Sequence, residues 1–94
     1  MCIPHPLGVV IGASSIGSNC IVFQGVTIGA KEIDFIGNKK LRPEIGDNVT
    51  IGSGAKILGS IKIADKTVIG ANAVVLNDIQ EPGFKYGGIP ARKL

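Results

Sequence analysis

The 94-residue chain contains no tryptophan, one tyrosine, three phenylalanines, one histidine and two cysteines. Without tryptophan, a sandwich packed around a buried indole is ruled out. The shortage of rings also removes the stacking platform that single-stranded nucleic acid requires, and the ten Lys and Arg residues are spread along the chain rather than clustered. Cys2 and Cys20 are too few for a disulfide framework and match no zinc-ligand spacing, so they read as free thiols in a reducing compartment. A single histidine leaves no His/Cys cluster for a metal. No apolar run approaches the ~20 residues of a membrane span, and no charged segment followed by an apolar stretch opens the chain. These absences predict a soluble, cytoplasmic protein with no metal, no nucleic-acid partner and no membrane partner.

What is present is aliphatic and β-branched. The chain has 15 Ile, 8 Val and 14 Gly, a composition that favours short strands and tight turns over a helical bundle. Hydrophobic residues at 45% against 18% charged place it outside the disordered class, and its length allows one domain. The net charge of +3 suits a small polyanionic ligand as well as it suits simple solvation.

An internal repeat decides the fold class. Aliphatic residues recur every six positions at Ile45, Ile51, Ile57, Ile63, Ile69 and Val75, and a second run covers Ile16, Val22 and Ile28. Ile and Val fill 23 of 94 positions, so about a quarter of these sites would match by chance, yet all nine match. The residue after each aliphatic is mostly glycine. Two positions further on come Asn19, Gly25, Asn48, Gly54, Ser60, Lys66, Asn72 and Asp78, mostly residue types that tolerate the left-handed backbone region and so mark corners. A smaller or β-branched residue follows each corner. Six residues bury nothing alone, whereas stacked coils pair equivalent strands about 4.8 Å apart and enclose the aliphatics. The period predicts an all-β fold, a parallel β-helix.

The period breaks twice. Val10 and Ile11 compete for the hexad before Ile16. The segment Asp34 to Pro43 lacks the hexad signature and reads as a loop extruded from the coil, either a binding element or a tolerated insertion. From Glu81 onward the repeat stops, and residues 81–94 read as a tail covering the last coil. The start, Met1-Cys2-Ile3-Pro4-His5-Pro6, runs almost directly into the repeat, so the chain is expected to be a fragment or a short version of a longer protein.

Several segments together resemble one family. His5-Pro6-Leu7-Gly8-Val9-Val10-Ile11-Gly12, Ile21 to Gly29, Ile45 to Gly59, Ile69 to Val75 and Gly88-Ile89-Pro90-Ala91-Arg92 are similar to the serine O-acetyltransferases among hexapeptide-repeat acyltransferases. The resemblance implies a left-handed prism of three hexads per turn, about five coils in this chain. It covers the family's C-terminal catalytic β-helix, so the N-terminal helical domain is absent from residues 1–94. It also implies acetyl transfer from acetyl-CoA, with His5 as general base on the acceptor hydroxyl, a role suited to a near-neutral imidazole. Arg42 and Gln24 fall to the acceptor. Ser53, Gly54, Ala55, Ala71 and Ala73 are small enough to line the pantetheine groove, and Arg92 and Lys93 could meet phosphate. The family is trimeric with sites between subunits. The chain departs from the pattern at Pro4, where an acidic residue is common, and at Leu41-Arg42-Pro43, where Arg-His-Pro is usual. Serine as acceptor, in cysteine biosynthesis, is the first expectation; a sugar or polysaccharide hydroxyl, or a non-catalytic β-helix module, are the alternatives.

Overall fold

The computed structural model of the chain describes residues 2–3, 8–30 and 41–94. Within each hexad the repeated aliphatic and its predecessor point to opposite sides of the backbone, so a strand of two or three residues turns one side chain inward before the chain bends. Twelve such strands are described, arranged as three faces of a prism. The first face stacks β1 (Val10–Ile11), β4 (Thr27–Gly29), β7 (Lys56–Leu58) and β10 (Val74–Val75). The second stacks β3 (Ile21–Val22), β6 (Thr50–Ile51), β9 (Val68–Ile69) and β11 (Lys85–Gly87), with β12 (Arg92–Lys93) outermost. The third stacks β2 (Ser15–Ile16), β5 (Glu44–Ile45) and β8 (Lys62–Ile63), extended by a bridge from Ile63 to Ile79. All stacked pairs are parallel except β11 with β12. This is the predicted parallel β-helix, with four layers on two faces and a fifth on the second, where Cys2 bridges Ile21.

Eight of the nine repeat aliphatics are buried, and Ile16 in the first coil is half-buried. A second interior column comes from the residue after each corner: Cys20, Val26, Val49, Ala55, Ile61, Thr67, Ala73 and Ile79 are all buried. Thr67 is the one buried polar side chain among the described residues, and its hydroxyl donates to Ala64 O at 2.7 Å. Two columns of mostly aliphatic side chains fill the prism. Phe23 stays half-buried and Phe84 exposed, while Tyr86 is in register with Ile69 only at the last layer, where the prism ends.

Register resolves both breaks in the period. Ile11 pairs with Ile28 and Val10 with Thr27, so Ile11 is the interior residue and the first corner is one residue short. Between the two later coils the pairing offset is 18 residues on every face, as in Thr50↔Val68, Lys56↔Val74 and Glu44↔Lys62. One step earlier it is 29, as in Ile21↔Thr50, Thr27↔Lys56 and Ser15↔Glu44. Eleven extra residues therefore enter between β4 and β5. Of the loop expected at 34–43, Asp34 to Lys40 lie outside the described residues, and Leu41, Arg42 and Pro43 lead into β5.

Two of the three corners are built as the composition predicts. Positive φ occurs at Asn19, Asn48, Lys66 and Gly83 on one, and at Gly8, Gly25, Gly54 and Asn72 on another. The third corner differs: Ser60 and Asp78, expected in the left-handed region, are not there, and Gly59 takes φ 100° instead. Asp78 serves that corner with its carboxylate, which accepts the Lys62 N–H at 2.9 Å. The tail does not simply cover the last coil. Its first part, β11, adds another parallel strand, and only then does β12 turn back.

Candidate functional site

The corner joining the second face to the first carries most of the residues expected around a coenzyme. A Cβ on Gly8 would lie 3.6 Å from Gly25 Cα, and one on Gly25 would lie 3.5 Å from Gly54 Cα. Backbones of successive coils thus approach at van der Waals distance from Gly8 to Gly54, and the glycine strip ends at Asn72, whose Oδ1 a Cβ on Gly54 would meet. Gln24, Ser53 and Ala71 precede these corner residues and stack above one another, with Gly54 N donating to Gln24 O at 2.9 Å and Asn72 N to Ser53 O at 2.8 Å. The amides of Gly54 and Asn72 are therefore used inside the stack, leaving a smooth surface for a thin chain rather than amide donors. Ala55 and Ala73, expected on the same surface, have no exposed area. Each follows a corner and points inward, so its methyl group fills the prism and not the groove.

Lys56, which sequence reasoning passed over, stands at the exposed end of this strip and donates from Nζ to Gly54 O at 3.3 Å. The signal was available: the residue before each repeat aliphatic points outward, and Lys56 precedes Ile57.

Arg42 lies at a different corner. Its Nη1 donates to Gly12 O at 3.1 Å, and the adjoining Ser14 N–H donates to Pro43 O at 2.8 Å. Gln24 and Arg42, expected together at one acceptor, sit at opposite ends of the first face within a single chain. A third location holds the tail cations. Lys93 Nζ is 3.0 Å from Glu81 Oε2 and 3.6 Å from the centroid of the Phe84 ring, so its charge is already met locally. Arg92 is exposed, opposite Gly87 in the hairpin. His5 lies outside the described residues; in sequence it stands three positions before Gly8, the first member of the smooth corner.

Carboxylates at the remaining corner have a structural task. Asp47 Oδ1 accepts Ser18 N–H and Asp65 Oδ1 accepts Asp47 N–H, each at 2.7 Å, so acids stitch one coil to the next. Among the described residues no group of three or more His, Cys, Asp and Glu could hold a metal ion, and no helix is long and apolar enough to cross a membrane.

Comparison with known proteins agrees with this geometry. Residues 42–77 match the family model described as bacterial transferase hexapeptide (six repeats). The chain is 49% identical over 78 residues to a serine acetyltransferase of Staphylococcus aureus, covering 82% of this chain and 35% of the relative. It superposes on a serine acetyltransferase in complex with CoA with a TM-score of 0.84 at 36% identity, covering 99% of this chain and 36% of the other. The Neisseria gonorrhoeae serine acetyltransferase in complex with serine gives 0.83 at 36% identity, covering 97% and 36%. Stacked hexads and aliphatic columns define a parallel β-helix, and the likeness to solved serine acetyltransferases assigns it to the left-handed, hexapeptide-repeat class. Within that class the chain belongs to the serine acetyltransferase family. It spans about a third of the length of the relatives it matches.

Proposed function

We propose that the chain is the C-terminal β-helical part of an acetyltransferase that moves an acetyl group from acetyl-CoA to the hydroxyl of serine. The observation that carries this reading is the match of 99% of the chain to a serine acetyltransferase in complex with CoA. The smooth corner of Gly25 and Gly54, bordered by Ser53 and Ala71, supports it, because a pantetheine arm needs close backbone approach and little side-chain bulk. Lys56 beside the strip and Arg92 in the tail supply cations for the coenzyme's phosphates. Gln24, on the same corner, serves the acceptor side.

In this mechanism His5 takes the proton of the serine hydroxyl while the oxygen attacks the thioester carbonyl. The tetrahedral intermediate collapses by breaking the carbon–sulfur bond, and the imidazolium returns its proton to the departing thiolate. O-acetylserine and free CoA leave, and His5 is neutral again. The product fits a cytoplasmic route to cysteine. Trimeric assembly completes the site, because a single chain leaves Gln24 and the end of the inserted segment at separate corners.

The test is thiol release from acetyl-CoA with serine and a panel of sugars as acceptors. Turnover with serine is expected; turnover with a sugar alone would move the acceptor to a carbohydrate, and none with either would leave a non-catalytic module. His5→Ala should lower kcat below a few per cent of wild type while CoA affinity, read by calorimetry, stays within about threefold. Residual activity above that level removes His5 as the base.

A further inference from the structure

Arg42 sits where eleven extra residues rejoin the coil, and it is half-buried. A guanidinium at a loop end ordinarily extends into water. Here Nη1 donates to the carbonyl of Gly12 at 3.1 Å, across one coil boundary. Gly12 does not have positive φ, so its backbone does not require glycine. The space a side chain would use is taken by the guanidinium: a Cβ there would meet Arg42 Nη1 and lie 3.2 Å from Ile28 O. Glycine at position 12 is therefore the seat of the guanidinium.

A second contact holds the same junction. Ser14 donates its backbone N–H to Pro43 O at 2.8 Å and its Oγ to the same oxygen at 3.2 Å, and Pro43 is fully buried. Residues 12–14 of the first coil thus grip residues 42–43 by a side chain, a hydroxyl and an amide. At the equivalent place one coil on, the described residues hold the junction by backbone alone: Gly59 N–H donates to Gly29 O and Glu44 N–H to Ile61 O, each at 2.9 Å.

From this geometry we infer that Arg42 is a positioning residue: seated on Gly12, it fixes the end of the inserted segment to the coil that follows His5-Pro6-Leu7-Gly8. The inference rests on the acetyl-transfer reading for its kinetic consequence. Arg42 then acts on the acceptor step through the placement of chain, and touches neither reacting atom. Binding of the coenzyme, on the corner at the other end of the first face, is left alone.

The experiment is a double-mutant cycle in the full chain, Gly12→Ala, Arg42→Ala and both, with Arg42→Lys as the conservative variant. Thermal unfolding is one readout. Gly12→Ala is expected to push the flexible guanidinium off the Gly12 carbonyl and lower the midpoint by about 2–8 °C through loss of that hydrogen bond. In the Arg42→Ala background, where the seat is vacant, it should lower the midpoint by less than half as much. Steady-state kinetics is the second readout. Arg42→Ala should reduce kcat/KM for serine about 10- to 100-fold, as small misplacements of reacting groups do, with KM for acetyl-CoA changed less than about threefold. Arg42→Lys should recover part of that loss. Equal thermal cost of Gly12→Ala in both backgrounds overturns the seat, and an equal rise in both KM values overturns the positioning role. Wild-type protein that turns over no acceptor would defeat the acetyl-transfer reading and the kinetic role with it, while the seat would still be judged by the thermal cycle.

Discussion

A methyl group added to Gly52 would lie 2.7 Å from Ala71 N and 2.9 Å from Ile69 O, both backbone atoms of the next coil. Gly29 occupies the same hexad position, yet a methyl group there meets no atom of the described residues within 4 Å. Neither residue has positive φ, so the difference is one of space alone. Gly52→Ala should cost about 1–3 kcal/mol through overpacking, whereas Gly29→Ala should be neutral or stabilise by about 0.5 kcal/mol through the unfolded chain. Urea unfolding of the two variants side by side checks this. The sequence marks both as the glycine after a repeat aliphatic and cannot tell them apart, because the discriminating atoms belong to residues about 18 positions away. Similarly, Asn19, Asn48 and Asn72 were legible as corners from their own backbone preference, while Ser60 and Asp78 were not. The Asp78 carboxylate serves the third corner by accepting the Lys62 amide in the preceding coil, a partner no local preference reveals.

At the scale of elements, the hairpin of β11 and β12 closes the last coil by backbone contacts. Val74 N donates to Gly88 O at 3.0 Å and Ala91 N returns a bond to Val74 O at 2.8 Å, so the edge of β10 is paired rather than left open. The Lys93–Glu81 pair adds little to this, since both side chains are largely in water. Lys93→Ala should therefore change stability by less than about 1 kcal/mol. Deleting residues 88–94 removes the two backbone bonds at Val74, the bond from Leu94 N to Lys85 O and the ladder pairing Gly87 with Arg92 and Tyr86 with Lys93, and should lower the unfolding midpoint by at least about 10 °C. Differential scanning calorimetry separates the two outcomes. The strands themselves were legible from the six-residue spacing, because every repeat position from Ile16 to Ile28 and from Ile45 to Val75 carries Ile or Val. The hairpin was not, since Gly88-Ile89-Pro90-Ala91 has no period to read, and the site was legible only in part. The pantetheine strip follows from corner glycines, whereas the Arg42 seat depends on Gly12, thirty residues away.

For the whole molecule, the three faces differ in what they offer to a neighbour. The third presents Ser15, Glu44 and Lys62 outward, all exposed and polar, while the second presents Ile21, Thr50 and Val68, with Phe23 half-buried beside them. The proposed trimer should bury the second face and leave the third in water. Light scattering should give three times the 9.7 kDa chain mass, and a monomer would contradict the assembly. Ile21→Lys should dissociate it and Glu44→Lys should not. The offset of 29 residues on one step, followed by 18 on the next at every face, carries a further consequence. An insertion at the junction of β4 and β5 leaves the alignment of every later coil untouched, and lengthening such a segment costs only about 0.6 kcal/mol per doubling. That junction is a natural graft point, where foreign sequence could be displayed on a scaffold whose lattice does not register its length.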